Sequence, residues 1–231
     1  MASYGAPAFL KQLAPQIVAE IQTAAEIKKF TNNTEIIGQY VEASVRQFVR
    51  RYLSPIRVST GGVIDQEQIP GGRIPQLDTI AWIPGPVAAI FEVGDFGLVP
   101  RSSSLGILEI KSSAYGDAVK DLDARTTPTF VNAVTAPLGE TEQELLRLLP
   151  DPSFGLGVVC LLEDSQKGNS KLEELRQQQR VSVIYERNGD NLIEQQPDIY
   201  RLVNFLTILR FRASRRDGYF AIYLPLTRGG P

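Results

Sequence analysis

Apolar residues follow a helical spacing in the first quarter of the chain. They recur at three- and four-residue steps over residues 9–29 and again over residues 35–53, which predicts two amphipathic helices. Thr34 directly precedes the second pattern and is the predicted N-cap of that helix. The helix is expected to end at Ser54, because a residue followed by proline, here Pro55, disfavours the helical conformation.

After residue 55 the pattern changes to short apolar runs bounded by glycine and proline, which predicts strands. The predicted strands are 56–64 (with a bulge or close backbone approach at Gly61-Gly62), 76–83, 87–93, 105–111, 154–162, 181–185 and 220–226. Helices are predicted for 115–125, 141–149, 170–180 and 198–212, and residues 128–140 are expected to be irregular. The unbroken apolar run 154–162 indicates a strand that is covered on both faces. Together these elements predict one α/β domain over residues 1–231.

Charged side chains interrupt the apolar strands between residues 72 and 113. Asp78 lies just inside the run 77–83, and Glu109 and Lys111 lie at the end of strand 105–111. Because side chains alternate along a strand, Glu109 and Lys111 are expected on the same face. A half-buried charge loses several kcal/mol of solvation unless it is paired or bound to a metal ion. These positions therefore predict a metal site.

The composition restricts the chemistry of such a site. The 231 residues include no histidine and one cysteine, Cys160, which excludes a His-dependent catalytic triad and a zinc site built from thiolate and imidazole. Oxygen ligands remain, and they favour Mg²⁺ or Mn²⁺. No apolar run has the length of a membrane span, and no secretory signal pattern begins the chain. We therefore expect a cytoplasmic protein that does not bind membranes.

The net charge of −2 gives the chain as a whole no attraction for nucleic acid, so any DNA-binding surface must be local. Two basic clusters are candidates: Arg46, Arg50, Arg51 and Arg57, and then Arg210, Arg212, Arg215 and Arg216. Solvated helix faces carry the same pattern, and for either cluster alone the solvated face is the favoured interpretation.

The element order over residues 35–162 is helix, strand, strand, strand, helix, strand, with an acid early in the second strand and Glu-x-Lys at the end of the third. This layout resembles the core of the PD-(D/E)XK nuclease superfamily, a restriction-endonuclease-like α/β fold with a mixed central sheet flanked by helices. The resemblance implies that Asp78, Glu109 and the backbone carbonyl of Ile110 hold a Mg²⁺ or Mn²⁺ ion. It implies that Lys111 positions or activates the attacking water.

Two further polar residues are assigned to the predicted site. Glu42, on the helix that precedes the strands, is the expected additional ligand if a second ion is bound. An ion pair with Arg46 four residues later is the alternative, and helical geometry alone favours it. Gln76 is expected on the face of Asp78, where it either supports the lysine or the metal-bound water, or is an ordinary polar strand residue.

A fuller set of motifs resembles one branch of that superfamily, which contains NucC, the second-messenger-activated endonuclease of CBASS antiphage defence. The matching residues are Gly38, Glu42, Leu53-Ser54-Pro55, Gly62-Val63-Ile64-Asp65, Gln76-Leu77-Asp78, Val99-Pro100 and Glu109-Ile110-Lys111-Ser112. Ile74 stands where the branch has a serine, and the regions that build the cyclic-nucleotide pocket of NucC have no match that can be placed residue by residue.

The resemblance implies a Mg²⁺-dependent endodeoxyribonuclease acting on double-stranded DNA in antiphage defence. It also implies a homo-oligomer, as a trimer or a multiple of one, and activation by a cyclic oligonucleotide. Two alternatives remain open. One is a non-catalytic nucleic-acid-binding or assembly module that works through the apolar helix 198–212 and Arg210–Arg216. The other is a restriction-type endonuclease, although the chain carries no separate recognition domain that the sequence reveals.

Overall fold

A computed structural model of the protein describes residues 8–65, 74–85, 88–140, 142–143 and 153–216. The helices are α1 (Ala8–Glu26), α2 (Thr34–Leu53), α3 (Gly116–Arg125), α4 (Pro128–Val134), α5 (Ser170–Gln177) and α6 (Gln196–Ser214). The strands are β1 (Arg57–Ile64), β2 (Leu77–Trp82), β3 (Phe91–Val93), β4 (Phe96–Pro100), β5 (Ser104–Lys111), β6 (Gly155–Leu162), β7 (Val181–Asn188) and β8 (Asn191–Glu194). Within the described part of the chain, no helix is both long enough and apolar enough to cross a membrane.

The described strands form one eight-stranded mixed sheet with the order β3-β4-β1-β2-β5-β6-β7-β8. The pairs β1–β4, β5–β6 and β6–β7 are parallel, and the remaining neighbours are antiparallel. Helices α1, α2 and α6 share the larger hydrophobic core with the sheet, whereas α3 and α5 pack on β6 and β7 in a second cluster. This arrangement confirms the predicted fold class, a mixed sheet flanked by helices.

The sheet register brings the predicted site residues to one level of the sheet. Strands β2 and β5 are antiparallel, with Thr79 opposite Leu108, so that the beginning of β2 lies beside the end of β5. Strand β1, which pairs with β2, contains an irregularity between Ser59 and Gly61, as predicted for the Gly-Gly pair. A Cβ atom at Gly61 would clash with the carbonyl oxygen of Gly97, so a side chain there is excluded.

Several predicted boundaries change in the structure. The N-cap of α2 is Asn33 and not Thr34, because the Asn33 side chain accepts hydrogen bonds from the N–H groups of residues 35 and 36. The segment 128–140 is not wholly irregular, since Thr127 caps α4 and Pro128 occupies its first turn, where proline is tolerated. The run 87–93 contributes only Phe91–Val93 to the sheet. Strand β6 is buried on both faces, as predicted. The predicted strand 220–226 and most of the predicted helix 141–149 lie outside the described residues.

The arginines of the two basic clusters are mostly bound to other parts of the protein. Arg212 is 1% exposed, with its Nε 3.1 Å from Glu142 Oε1 and its guanidinium carbon 4.0 Å from the centre of the Phe154 ring. It also donates to the backbone carbonyls of Leu105 and Ala136. The buried Arg212 side chain therefore connects α6 to β5 and to the segment that follows α4.

Most of the other arginines have internal partners as well. Arg46 binds the Asp78 carbonyl, Arg50 binds Asp95, Arg51 binds Glu20, Arg57 binds Glu92, Arg210 binds the Tyr52 carbonyl and Arg216 binds the Pro137 carbonyl. Arg215 is exposed and lies over the Phe211 ring at 5.4 Å. Among the described residues, neither cluster forms a continuous basic face that is free of protein partners.

Replacing Arg212 tests its structural role. We expect Arg212→Ala to lower the free energy of unfolding by about 3–5 kcal/mol, because it leaves the buried carboxylate of Glu142 without its closest charge partner. The exposed Arg215→Ala is the matched control, with an expected change within about 0.5 kcal/mol. Urea denaturation measures both. A change below about 1 kcal/mol for Arg212→Ala would contradict a buried, interdependent ion pair.

Candidate active site

Asp78 lies at the beginning of β2, where its carboxylate reaches the neighbouring strand β5. Its Oδ2 accepts a hydrogen bond of 2.8 Å from the backbone N–H of Ile110. Its backbone carbonyl accepts a hydrogen bond of 3.0 Å from Nε of Arg46, which is itself buried. The side chain and the main chain of Asp78 are therefore fixed by two different elements, β5 and α2.

Glu109 and Lys111 lie on one face of β5, as the strand alternation predicts. Lys111 Nζ is 2.8 Å from Glu109 Oε1 and 3.4 Å from Oδ2 of the exposed Asp121. Glu109 is only 6% exposed, and its other oxygen, Oε2, is buried without a hydrogen-bond partner among the described residues. A buried acceptor of this kind is costly, and such an orphaned group often marks a missing ligand.

Burial and the charges of neighbouring groups change the pKa values of these side chains. Burial and the nearby Asp78 raise the pKa of Glu109 to about 7, although Lys111 acts in the opposite direction. Burial also raises the pKa of Asp78, against the Ile110 hydrogen bond and the positive charge of Lys111. For Lys111, burial favours the neutral form, but the charges of Glu109, Asp78 and Asp121 raise its pKa overall. Burial is thus the largest cause of the raised pKa values of both carboxyl groups.

Glu42 borders this group from α2. Burial and the Asp78 charge raise its pKa, which shows that its carboxylate lies within electrostatic reach of the site. Its Oε2 is 3.9 Å from Nη2 of Arg46, so the alternative ion pair is present but long. In the described ranges, no three acidic, histidine or cysteine side chains come close enough together to hold a metal ion by themselves. Glu42 therefore stands beside the pair of Asp78 and Glu109 and does not complete a three-carboxylate cluster.

Gln76 lies two residues before Asp78 and directly before the first residue of β2. It is exposed, precedes β2, and makes no side-chain hydrogen bond to Lys111 or to a carboxylate within the described residues. The structure thus brings Asp78, Glu109 and Lys111 together and places Glu42 at their border, and within the described residues no hydrogen bond joins Gln76 to them. The catalytic and metal-binding roles assigned to these residues stay predictions.

The oxygen atoms that remain free fit a hard divalent cation. Glu109 Oε2 is orphaned, and Asp78 Oδ1 has no hydrogen bond within the described part of the chain. The N–H and C=O of one strand residue point to the same side, so the Ile110 carbonyl faces β2 together with its N–H. Two carboxylates and a carbonyl are a sufficient protein contribution for Mg²⁺, which keeps several of its waters.

Three charged residues near the site were not assigned to it from the sequence. Arg46 fixes the backbone of Asp78, Asp121 binds Lys111, and the charge of Arg125 lowers the pKa values of Asp78 and Glu109. Only Arg46 carries a signal in the sequence, since it lies one helical turn after Glu42. The other two are brought near by the packing of α3 on the sheet.

The comparison with solved structures concerns the whole fold around these charges. Two carboxylates and a lysine lie at the adjoining ends of antiparallel β2 and β5, next to helix α2, in an α/β fold with a mixed sheet flanked by helices. Solved structures with this fold include NucC from E. coli MS115-1 in its cAAA-bound form. That structure is 17% identical over 92% of this chain and 93% of its own, with a TM-score of 0.55.

Two further structures give the same result. NucC from P. aeruginosa ATCC27853, also in a cAAA-bound form, is 14% identical over 91% of this chain and 93% of its own, with a TM-score of 0.52. The apo form of the E. coli protein is 18% identical over 88% and 92%, with a TM-score of 0.50. The sequence matches no family model and no curated protein. The chain therefore has the fold of NucC, at a sequence identity that shows the fold alone.

The raised pKa of Glu109 predicts a pH-dependent stability in the absence of metal. Its folded value of about 7 exceeds the ordinary 4.5, so between these pH values the folded state holds a proton that the unfolded state has released. The stabilising contribution is complete below pH 4.5 and is lost as the pH rises through 7. In EDTA, Glu109→Gln should therefore gain stability relative to wild type as the pH rises from about 5 to 8, by an amount of the order of 3 kcal/mol.

Urea denaturation in EDTA at several pH values measures this difference. Glu35→Gln, which changes an exposed carboxylate in the first turn of α2, is the control for the loss of a carboxylate as such. A stability difference between Glu109→Gln and wild type that stays constant with pH would refute the raised pKa.

Proposed function

We propose that this protein is a metal-dependent endonuclease that hydrolyses phosphodiester bonds of double-stranded DNA, as a NucC-like effector of antiphage defence. The observation that carries the proposal is the orphaned, buried carboxylate oxygen of Glu109 beside Asp78 and Lys111. A buried carboxylate beside a half-buried one is costly to the stability of the fold, and a metal ion bound between them would offset that cost. The fold shared with NucC supports the same conclusion.

In this proposal Asp78, Glu109 and the Ile110 carbonyl hold one Mg²⁺ or Mn²⁺ ion. When bound, the ion supplies charge neutralisation at the phosphate and a more acidic water. Lys111 directs its ammonium to the attacking water or to a phosphate oxygen, and Glu109 holds that ammonium in place. The Ile110 N–H fixes the orientation of the Asp78 carboxylate, and Arg46 fixes its backbone.

The NucC structures bound to cAAA suggest how such an enzyme is controlled. We extend the proposal to a homo-oligomer that a cyclic oligonucleotide of this kind activates. Activity assays must therefore contain cAAA in one arm, since the enzyme without its activator is expected to be slow. The alternative of a non-catalytic DNA-binding module has less support, because the arginines on which it depends are mostly bound inside the protein.

Plasmid nicking tests the proposal directly. Wild type with Mg²⁺ and cAAA should convert supercoiled DNA to nicked and linear forms, and EDTA should abolish the conversion. Glu109→Gln and Lys111→Ala should each lower the rate at least about a hundredfold, since both remove charges that act on the reacting phosphate. Lys29→Ala, which removes an exposed lysine that pairs with Glu26, is the matched control and should cleave like wild type.

Two results would contradict the proposal. Cleavage that survives both site substitutions would remove Glu109 and Lys111 from the mechanism. Salt-sensitive DNA binding without metal-dependent cleavage, with cAAA present, would favour the binding module instead. Sequencing of the cut ends separates a restriction-type enzyme, which has a fixed recognition sequence, from a non-specific one.

A further inference from the structure

Two of the cations that act on the site carboxylates are already engaged by protein oxygens. Lys111 Nζ lies 2.8 Å from Glu109 Oε1 and 3.4 Å from Asp121 Oδ2. Arg46 is buried and donates through Nε to the carbonyl oxygen of Asp78 at 3.0 Å. Both cations therefore contact oxygen atoms of the site or of the strand that carries it.

Arg125 is a third cation near the carboxylates, and it differs from Lys111 and Arg46 in its contacts. It is the last residue of α3 and half-buried, and it lies one helical turn after Asp121, whose Oδ2 is 3.4 Å from Lys111 Nζ at the site. Its guanidinium carbon lies 5.0 Å from the centre of the Phe130 ring on α4. Within the described residues its side chain forms no ion pair and donates no hydrogen bond, so the N–H donors of the guanidinium are available to a ligand beside the carboxylates.

The ordinary structural roles of an arginine at this position do not account for Arg125. Basic side chains in a last helical turn often bind the terminal carbonyls, but Arg125 donates to none of them in the described structure. The acids nearest to it in sequence are engaged elsewhere, since Asp121 binds Lys111 and Asp123 binds Arg180 and Lys171. What remains is a guanidinium supported by an aromatic ring and without a protein acceptor.

We propose that Arg125, supported by the Phe130 ring, binds a backbone phosphate of the DNA next to the scissile one and so positions the substrate over Asp78 and Glu109. A guanidinium matches two phosphate oxygens with parallel N–H donors, which a lysine ammonium cannot do. Stacking on the ring lowers the entropy lost when the side chain is fixed, because fewer rotamers remain to be excluded. This inference rests on the proposed endonuclease function and makes Arg125 a positioning residue.

DNA binding in a cleavage-deficient background tests this role without relying on activity. Glu109→Gln supplies the background, and fluorescence anisotropy gives the Kd for a short labelled duplex between about 50 and 200 mM salt, with Mg²⁺ and with or without cAAA. Adding Arg125→Met should weaken binding about tenfold at the low-salt end and reduce the slope of log K against log salt by about 0.9, the value for one lost phosphate contact.

Two further variants separate a phosphate contact from a structural effect. Arg125→Lys retains the charge, so it should keep the slope while still lowering affinity, and it serves if Arg125→Met does not fold. Arg215→Met is the matched control, because Arg215 is an exposed arginine that also stacks on a phenylalanine ring, Phe211, and it should bind DNA like the background. Thermal melting confirms that each variant is folded.

The outcomes are distinguishable. An unchanged slope for Arg125→Met, or an affinity for Arg125→Lys equal to that of the background, overturns the role of Arg125 and leaves the endonuclease proposal standing. A background protein that binds no DNA with cAAA present overturns both. An equal loss of slope for Arg125→Met and Arg215→Met would show that the effect is one of net charge and would also overturn the specific contact.

Discussion

The structure of this site depends on the cost of keeping carboxylates ionised where water is scarce. Asp78 and Glu109 lie at adjoining strand ends, and burial raises the pKa of each. The protein limits this cost with one ammonium, one backbone N–H and one guanidinium bound to a backbone carbonyl. It does not remove the cost, since one oxygen of Glu109 stays buried and finds no hydrogen-bond partner in the part of the chain that the structure describes. A cation bound to this oxygen would lower the free-energy cost of its burial.

The sheet makes this arrangement possible. Antiparallel β2 and β5 bring residues 31 positions apart in sequence to the same level. The parallel strands β6 and β7, buried by helices on both sides, support β5 from its other edge. The charged strand ends are thus attached to a closely packed apolar scaffold, and such packing holds side chains in fixed positions.

Short-range rules correctly predicted features that depend on a single segment of the chain. They did not predict positions that depend on how distant segments pack together. Alternation along one strand is enough to place Glu109 and Lys111 on the same face. No local rule places Arg125, because its position depends on how α3 packs. Similarly, Arg212 has the local pattern of a solvated arginine, yet Glu142, 70 residues earlier, makes it a buried one. Alternation also predicts Gln76 on the face of Asp78, and the structure shows its side chain exposed directly before β2.

The secondary-structure predictions also succeeded for local features and failed where distant segments pair. Helix α4 was missed because β-branched residues lower its helix propensity, although Thr127-Pro128 is a typical helix start. Strand β4 was not predicted as a strand, because its five residues gain their stability from parallel pairing with β1, which is distant in sequence. The long apolar elements, by contrast, are evident from composition and period alone, and these were predicted within a few residues of their ends.

The guanidinium of Arg46 joins three otherwise separate parts of the molecule. It binds the Asp78 carbonyl, faces Glu42 on its own helix, and lies 3.8 Å from Asp95 in the turn between β3 and β4. Asp95 is exposed and distant from the carboxylates in sequence. Because it contacts the guanidinium that binds the Asp78 carbonyl, a substitution at Asp95 is expected to change the hydrogen bond between Arg46 and Asp78. Natural variation at position 95 should therefore be narrower than its solvent exposure suggests.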